Sequence, residues 1–169
     1  MLKRVCKKFG NKVNFFGNEF FTFPQAEKLA NANLKDLLSC SLGFRAKSVK
    51  KASSAVVSGI IDFELLKKLD YGTAKKKLKE VYGIGDKVAD CILLFSLEKL
   101  EAFPIDRWTL RILRKYYTEK FCELIGKSLT EKKYSVVHEK IVKHFGPYAG
   151  YSQQFLFKME RELNNRKWL

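Results

Sequence analysis

Residues 82–106 read YGIGDKVADCILLFSLEKLEAFPID, and this stretch decides the fold. Glycine tolerates positive φ and has no Cβ, so Gly83 and Gly85 let a tight turn run close to a phosphate. Lys87 follows where a helix begins. Val88, Cys91, Ile92 and Phe95 recur at the i, i+3, i+4, i+7 spacing of an amphipathic helix, predicted over 86–97. Lys87 and Cys91 are themselves four apart, so an amine and a thiol share one helix face. Asp106 comes nineteen positions after Lys87, in a Pro-x-Asp that opens the next helical run, RWTLRILRKYY. A Gly-x-Gly alone is a weak signal. Joined to Lys-Val-Ala-Asp-Cys and a downstream Pro-x-Asp, it is a specific one.

This block resembles the helix-hairpin-helix-Gly/Pro-Asp superfamily of DNA glycosylases, and within it the bifunctional 8-oxoguanine DNA glycosylase/AP lyases. The resemblance runs nearly end to end. LKRVCKKFG at 2–10, LGFRAKSV at 42–49 and GPYAGYSQQFLF at 146–157 fall in the family's order around the central block. It implies an all-α fold, a helical bundle in two interlocked lobes with a DNA-binding cleft between them. The hairpin-bearing lobe is expected over about 24–104, and the second over 1–23 plus 105–169, the whole being one catalytic domain.

Composition agrees with a nucleic-acid partner. Lys+Arg number 33 against 18 Asp+Glu, a formal charge of +15, which attracts polyanions; a merely basic protein is the bland alternative. At 46% hydrophobic and 14% aromatic, the 169 residues supply a core, so disorder is excluded as a class. No run approaches the ~18 consecutive apolar residues of a membrane span. The N-terminus has no apolar stretch followed by a small-residue cleavage site, so an intracellular protein is expected. Cys6, Cys40, Cys91 and Cys122 form no C-x-x-C pair, which argues against a zinc ribbon or disulfide framework. Related branches carry a four-cysteine iron–sulfur loop, and nothing in 121–169 could build one. No cofactor is required, although the hairpin backbone could hold a monovalent cation, as related hairpins do. The partner expected is damaged double-stranded DNA bound by a monomer.

Helical periodicity dominates, with Pro24, Pro104 and Pro147 at boundaries. Helices are predicted at roughly 1–9, 24–31, 33–40, 45–58, 62–69, 71–81, 86–97, 107–117, 131–145 and 149–163. The Phe-rich segment 14–23 reads either as a short strand or as a buried loop. The run Lys75, Lys76, Lys77 reads as a solvated helix face, with phosphate contact as the other option.

The resemblance assigns roles residue by residue. Lys87 would attack the deoxyribose C1′, expel the damaged base and form a Schiff base, after which β-elimination breaks the strand. A nucleophilic amine must be neutral, and free lysine titrates near 10.4, so partial burial in a positive neighbourhood is expected. The bland alternative is a solvated lysine, poorly placed against the helix dipole. Asp106 would stabilise the growing oxocarbenium-like charge and assist proton transfers. It is also a good N-cap, and the two roles are compatible. Gln153 and Phe157, one turn apart, would supply an amide and a plate for a flipped base, sandwiched between Phe157 and Cys91; core packing is the alternative for Phe157. Phe44 and Arg45 match an aromatic-Arg pair, usually Tyr-Arg, that fills the vacated stack and hydrogen-bonds the orphaned base. Lys47, Lys50 and Lys51 extend a basic face suited to phosphates, or simply to water. Trp108 stands where the family commonly has a phosphate-contacting histidine; indole donates one hydrogen bond and carries no charge. Relatives begin with a β domain and an asparagine-rich helix. This sequence starts just after them, so it is expected to be the core of a longer protein or a lesion reader of relaxed discrimination.

Overall fold

A computed structural model of the chain describes residues 1–121 and 129–163. Cys122 lies outside them. The order is α1 (Leu2–Phe9), β1 (Lys12–Phe15), β2 (Asn18–Phe21), α2 (Ala26–Asn31), α3 (Leu34–Ser39), α4 (Arg45–Val57), α5 (Phe63–Lys68), α6 (Tyr71–Lys79), α7 (Asp86–Ser96), α8 (Arg107–Tyr116), α9 (Thr118–Phe121), α10 (Glu131–Phe145), a 3-10 turn (Gly146–Tyr148) and α11 (Ala149–Leu163). The helical class is as expected, and the boundaries follow local chemistry. Asn33 accepts Lys35 N–H at 3.0 Å to start α3, Asp106 accepts Thr109 N–H at 2.8 Å to start α8, and Thr130 caps α10. Pro147 occupies the 3-10 turn, where its fixed φ ends one helix before another starts.

The Phe-rich segment is an antiparallel hairpin, β1 against β2, with Val13 opposite Phe20 and Phe15 opposite Asn18. It is not a buried loop: Phe15, Phe16, Phe20 and Phe23 are all exposed.

The chain packs as two compact units. The first comprises Met1–Leu66 and Lys77–Ile84, the second Lys67–Lys76 and Gly85–Leu169. These follow other lines than the lobes 24–104 and 1–23 plus 105–169 read from the family. In the first unit Val5, Leu29, Leu37, Cys40, Leu42 and Ala46 form the core, where α2 and α3 lie on α4. In the second, Phe103, Ile105, Leu113, Phe121, Val137 and Ile141 form the core around α8 and α10.

One sequence expectation inverts inside α7. The stripe Val88, Cys91, Ile92, Phe95 is not the buried face: Val88 and Phe95 are exposed, and Cys91 and Ile92 are half-buried. Burial falls on Ala89, Asp90, Leu93, Leu94 and Leu97. That stripe has the same helical spacing, but Asp90 in its centre hides it from an apolar count. The apolar face that remains open is the one carrying Lys87.

Candidate active site and DNA-contacting surface

The hairpin turn joins α6 to α7. Gly83 has φ +90°, and a Cβ there would stand 2.2 Å from Ser48 Oγ, so both conformation and space demand glycine. Gly85 differs: it is the extended N-cap of α7, and a Cβ on it would meet nothing within 4 Å. Its value is open approach rather than positive φ. Helix α4 braces the turn, since Ser48 packs on Gly83 and Lys47 Nζ lies 4.8 Å from the centroid of the Tyr82 ring. The same helix begins at Phe44, which is 82% exposed and has the Arg45 guanidinium 4.6 Å from its ring centroid. Phe44, Arg45, Lys47 and Gly83 therefore belong to one surface of the first unit. A bare aromatic beside a guanidinium is costly to leave in water and fitted to bases and phosphates.

The second unit holds the remaining candidates. Gly85, Lys87 and Asp106 line one open recess of about 510 Å³, together with Val88, Arg107, Glu131 and Tyr134. Lys87 is exposed, not partly buried as expected. Asp106 is half-buried, and its carboxylate is engaged by the Thr109 amide, so it caps α8 while facing the recess. Cys91 is half-buried, and burial pushes its thiol above the ordinary range. Lys87 opposes this through charge and a side-chain hydrogen bond, while the charges of Asp90 and Asp106 add to it. Amine and thiol thus meet on one face as the four-residue spacing requires, and Cys91 offers a neutral, polarizable surface.

Cys91, Gln153 and Phe157 do not line that recess. Gln153 is buried on α11; its Nε2 donates to Thr109 Oγ1 at 3.2 Å, and its Oε1 accepts from Gln154. Each bond leaves one N–H and one acceptor site of the amide over, so Gln153 can keep both partners and still meet a base edge. Phe157 is half-buried one turn further on. Trp108 is half-buried, with the Arg111 guanidinium 5.1 Å from the centroid of its indole. Gly150 sets α11 against α7 and the segment that follows it: a Cβ there would lie 2.3 Å from Leu94 and 2.7 Å from the Ala102 carbonyl.

Sequence reasoning missed several polar residues. Thr109 is buried and links Asp106 to Gln153, its amide on one and its hydroxyl on the other. Asp90 is fully buried and accepts from Tyr71 at 2.7 Å and Tyr134 at 2.6 Å. Lys75, read as part of a solvated run, is instead held at 2.9 Å from Asp90 and 3.6 Å from Asp86. His138, buried beneath Tyr71, is drawn down to about 4, chiefly by burial. The one available signal was an acidic residue amid the alanine and leucines of α7.

Among the described residues no cluster of three or more His, Cys, Asp or Glu side chains could hold a metal ion. No described helix is long and apolar enough to cross a membrane.

No family model matches the sequence. A hairpin entering a helix with lysine in its first turn, followed by a capping aspartate in the same recess, sits here in a helical fold of the helix-hairpin-helix DNA glycosylase class, as its matches to solved glycosylase structures show. Similarity narrows the class. The chain is 31% identical over 179 residues to a probable N-glycosylase/DNA lyase of Methanothermobacter thermautotrophicus, covering 95% of this chain and 54% of that protein. It is 34% identical over 148 residues to an N-glycosylase/DNA lyase of Arabidopsis thaliana, covering 85% and 40%. The crystal structure of Clostridium acetobutylicum 8-oxoguanine glycosylase/lyase, in complex with double-stranded DNA containing cytosine opposite 8-oxoG, matches with a TM-score of 0.82 at 32% identity, over 96% of this chain and 53% of that one. The chain is thus similar to proteins named N-glycosylase/DNA lyase and to an 8-oxoguanine glycosylase/lyase, and it spans about half the length of the relatives it matches.

Proposed function

We propose that this chain is a bifunctional DNA glycosylase/AP lyase of base-excision repair that removes 8-oxoguanine from duplex DNA. One observation carries the reading: Lys87, presented by the Gly83–Gly85 turn, shares a recess with Asp106. In the chemistry this supports, the Lys87 amine attacks C1′ and the glycosidic bond breaks, its electron pair leaving on the base. Asp106 stabilises the positive charge that grows on the sugar. Ring opening gives an iminium, and loss of a C2′ proton then expels the 3′ phosphate. The exposed amine needs a proton acceptor at the start, and the leaving base needs a donor; Asp106 lies in the same recess to relay a proton.

Phe44 serves as the wedge, Arg45 as the partner of the orphaned base, Lys47, Gly83, Gly85 and Trp108 as backbone contacts, and Cys91, Gln153 and Phe157 as the base pocket. The chemistry calls for no cofactor. A monovalent cation at the hairpin backbone fits the turn: Val81 and Gly85 carbonyls accept Ile84 and Ala89 amides at 3.0 and 2.9 Å, whereas the carbonyls of 82–84 accept no backbone hydrogen bond among the described residues. A monomeric, intracellular protein completes the reading. The test is single-turnover excision over duplexes carrying 8-oxoguanine, formamidopyrimidine, alkylated purines or guanine. Release of 8-oxoguanine with strand cleavage is expected; preference for an alkylated purine, or binding with no excision, would contradict it.

A further inference from the structure

The recess accounts for Lys87 and Asp106 but leaves unexplained the most deeply buried charge in the second unit. Asp90 has no solvent exposure and sits on α7 one turn beyond Asp86. A buried carboxylate is expensive, and an apolar residue of similar volume often serves stability as well or better. Packing alone gives no reason for it. Its partners do. Tyr134 donates to Asp90 Oδ2 at 2.6 Å, and with its proton so committed its oxygen accepts Ile105 N–H at 3.0 Å. Tyr71 donates to Asp90 Oδ1 at 2.7 Å, stacks on His138 with ring centroids 4.9 Å apart, and stands 2.9 Å from His138 Nε2. That nitrogen in turn accepts Phe103 N–H at 3.2 Å. Pro104, between them, has no N–H to place. Both amide donors of 103–105 are thus received by α10 side chains whose own positions are set from Asp90. The next residue is Asp106.

We infer that Asp90 is a positioning residue that sets the register of Asp106 against Lys87. It rides on the same helix as Lys87, and through Tyr134 and through Tyr71 and His138 it fixes the backbone immediately before Asp106. Lys75, 2.9 Å away, balances its charge. The inference rests on the proposed function and deepens it, since a fixed amine-to-carboxylate geometry matters only if the two act on one sugar.

The test is a set of double-mutant cycles on the full chain, read by single-turnover excision of 8-oxoguanine. Asp90→Asn and Tyr134→Phe should each slow excision by about 10- to 100-fold, the loss that a small misplacement of a reacting group produces. In an Asp106→Asn background the same changes should cost less than about 2-fold, because residues acting through one group are not additive. His138→Gln, which keeps an acceptor for Phe103 N–H, should stay within about 3-fold of the parent, whereas His138→Leu should match Tyr134→Phe. Should Asp90→Asn fail to fold, Tyr134→Phe and the His138 pair complete the cycles. An active parent whose losses are equal with and without Asp106 would overturn the inference and leave the proposed function standing. A parent that excises nothing would overturn both.

Discussion

In the unit built on α1–α4, the buried side chains of the described residues are apolar except for Ser53, while the unit that contains α7, α8, α10 and α11 buries Asp90, Thr109, His138 and Gln153. The contrast follows the tasks proposed for each. Wedge and phosphate contacts act from the surface: Phe44 and Arg45 need only a firm helix beneath them, and an apolar core supplies it. Chemistry at a sugar carbon requires an amine and a carboxylate at fixed separation, and hydrogen-bond networks hold direction better than dispersion does. No buried side-chain nitrogen or oxygen among the described residues lacks a hydrogen-bond partner, so the polar interior of the second unit is fully satisfied.

The largest effect that could break this contrast lies in the second unit. Asp106→Asn keeps a cap for α8 but removes the charge, so excision should fall by about 10²- to 10³-fold while stability changes by ~1 kcal/mol or less. A variant that unfolds, with a fully active folded fraction, would reduce Asp106 to a cap.

A second prediction concerns acid. His138 is held neutral in the folded state, near 4, by burial and by Lys75, against the pull of Asp90 and Asp86. Its folded value lies below the unfolded 6.5, so the unfolded chain binds the proton first. The stability from a neutral His138 is present above about 6.5 and declines as pH falls toward 4, by at most about 1.4 kcal/mol per pH unit. Urea melts of the wild type and His138→Gln between these pH values should diverge, with the variant less pH-dependent. Parallel curves would show that His138 is not held neutral.

Next in size is Gly83→Ala in the first unit. A methyl group 2.2 Å from Ser48 Oγ at φ +90° should cost about 1–2 kcal/mol and weaken DNA binding. Gly85→Ala should leave stability within about 0.5 kcal/mol. Equal melting shifts for the two would contradict the different roles assigned to the two glycines. The smallest effect is Lys47→Ala: the log–log dependence of DNA affinity on salt should flatten by about 0.9, one phosphate's share, with little change in stability. An unchanged slope would leave Lys47 to its contact with Tyr82.

Elements that depend on near neighbours were legible in the sequence. Proline, capping residues and apolar spacing gave the helices, and the turn-lysine-aspartate order gave the candidate pair. The network around Asp90 was not legible, because its bonds join α7 to residues on α6 and α10 that no local pattern connects. Reading α7 by apolar residues alone selected the exposed stripe of Val88 and Phe95, since a buried aspartate counts as a surface residue until its partners are known. Lys75 was misread for the same reason, as its environment is set by Asp86 and Asp90 rather than by its lysine neighbours. The aromatic hairpin was half legible: its aromatics and central glycine suggested a strand, but nothing local told whether its phenylalanines are covered.

The central claim, that Lys87 is the nucleophile, is tested most directly by borohydride trapping on duplex DNA with an abasic site, followed by peptide mapping of the cross-link. The wild type should form a covalent adduct at Lys87, and Lys87→Gln, changed at an exposed position and hence folded, should form none. Trapping of equal yield by Lys87→Gln, or an adduct mapped to another lysine, would contradict it.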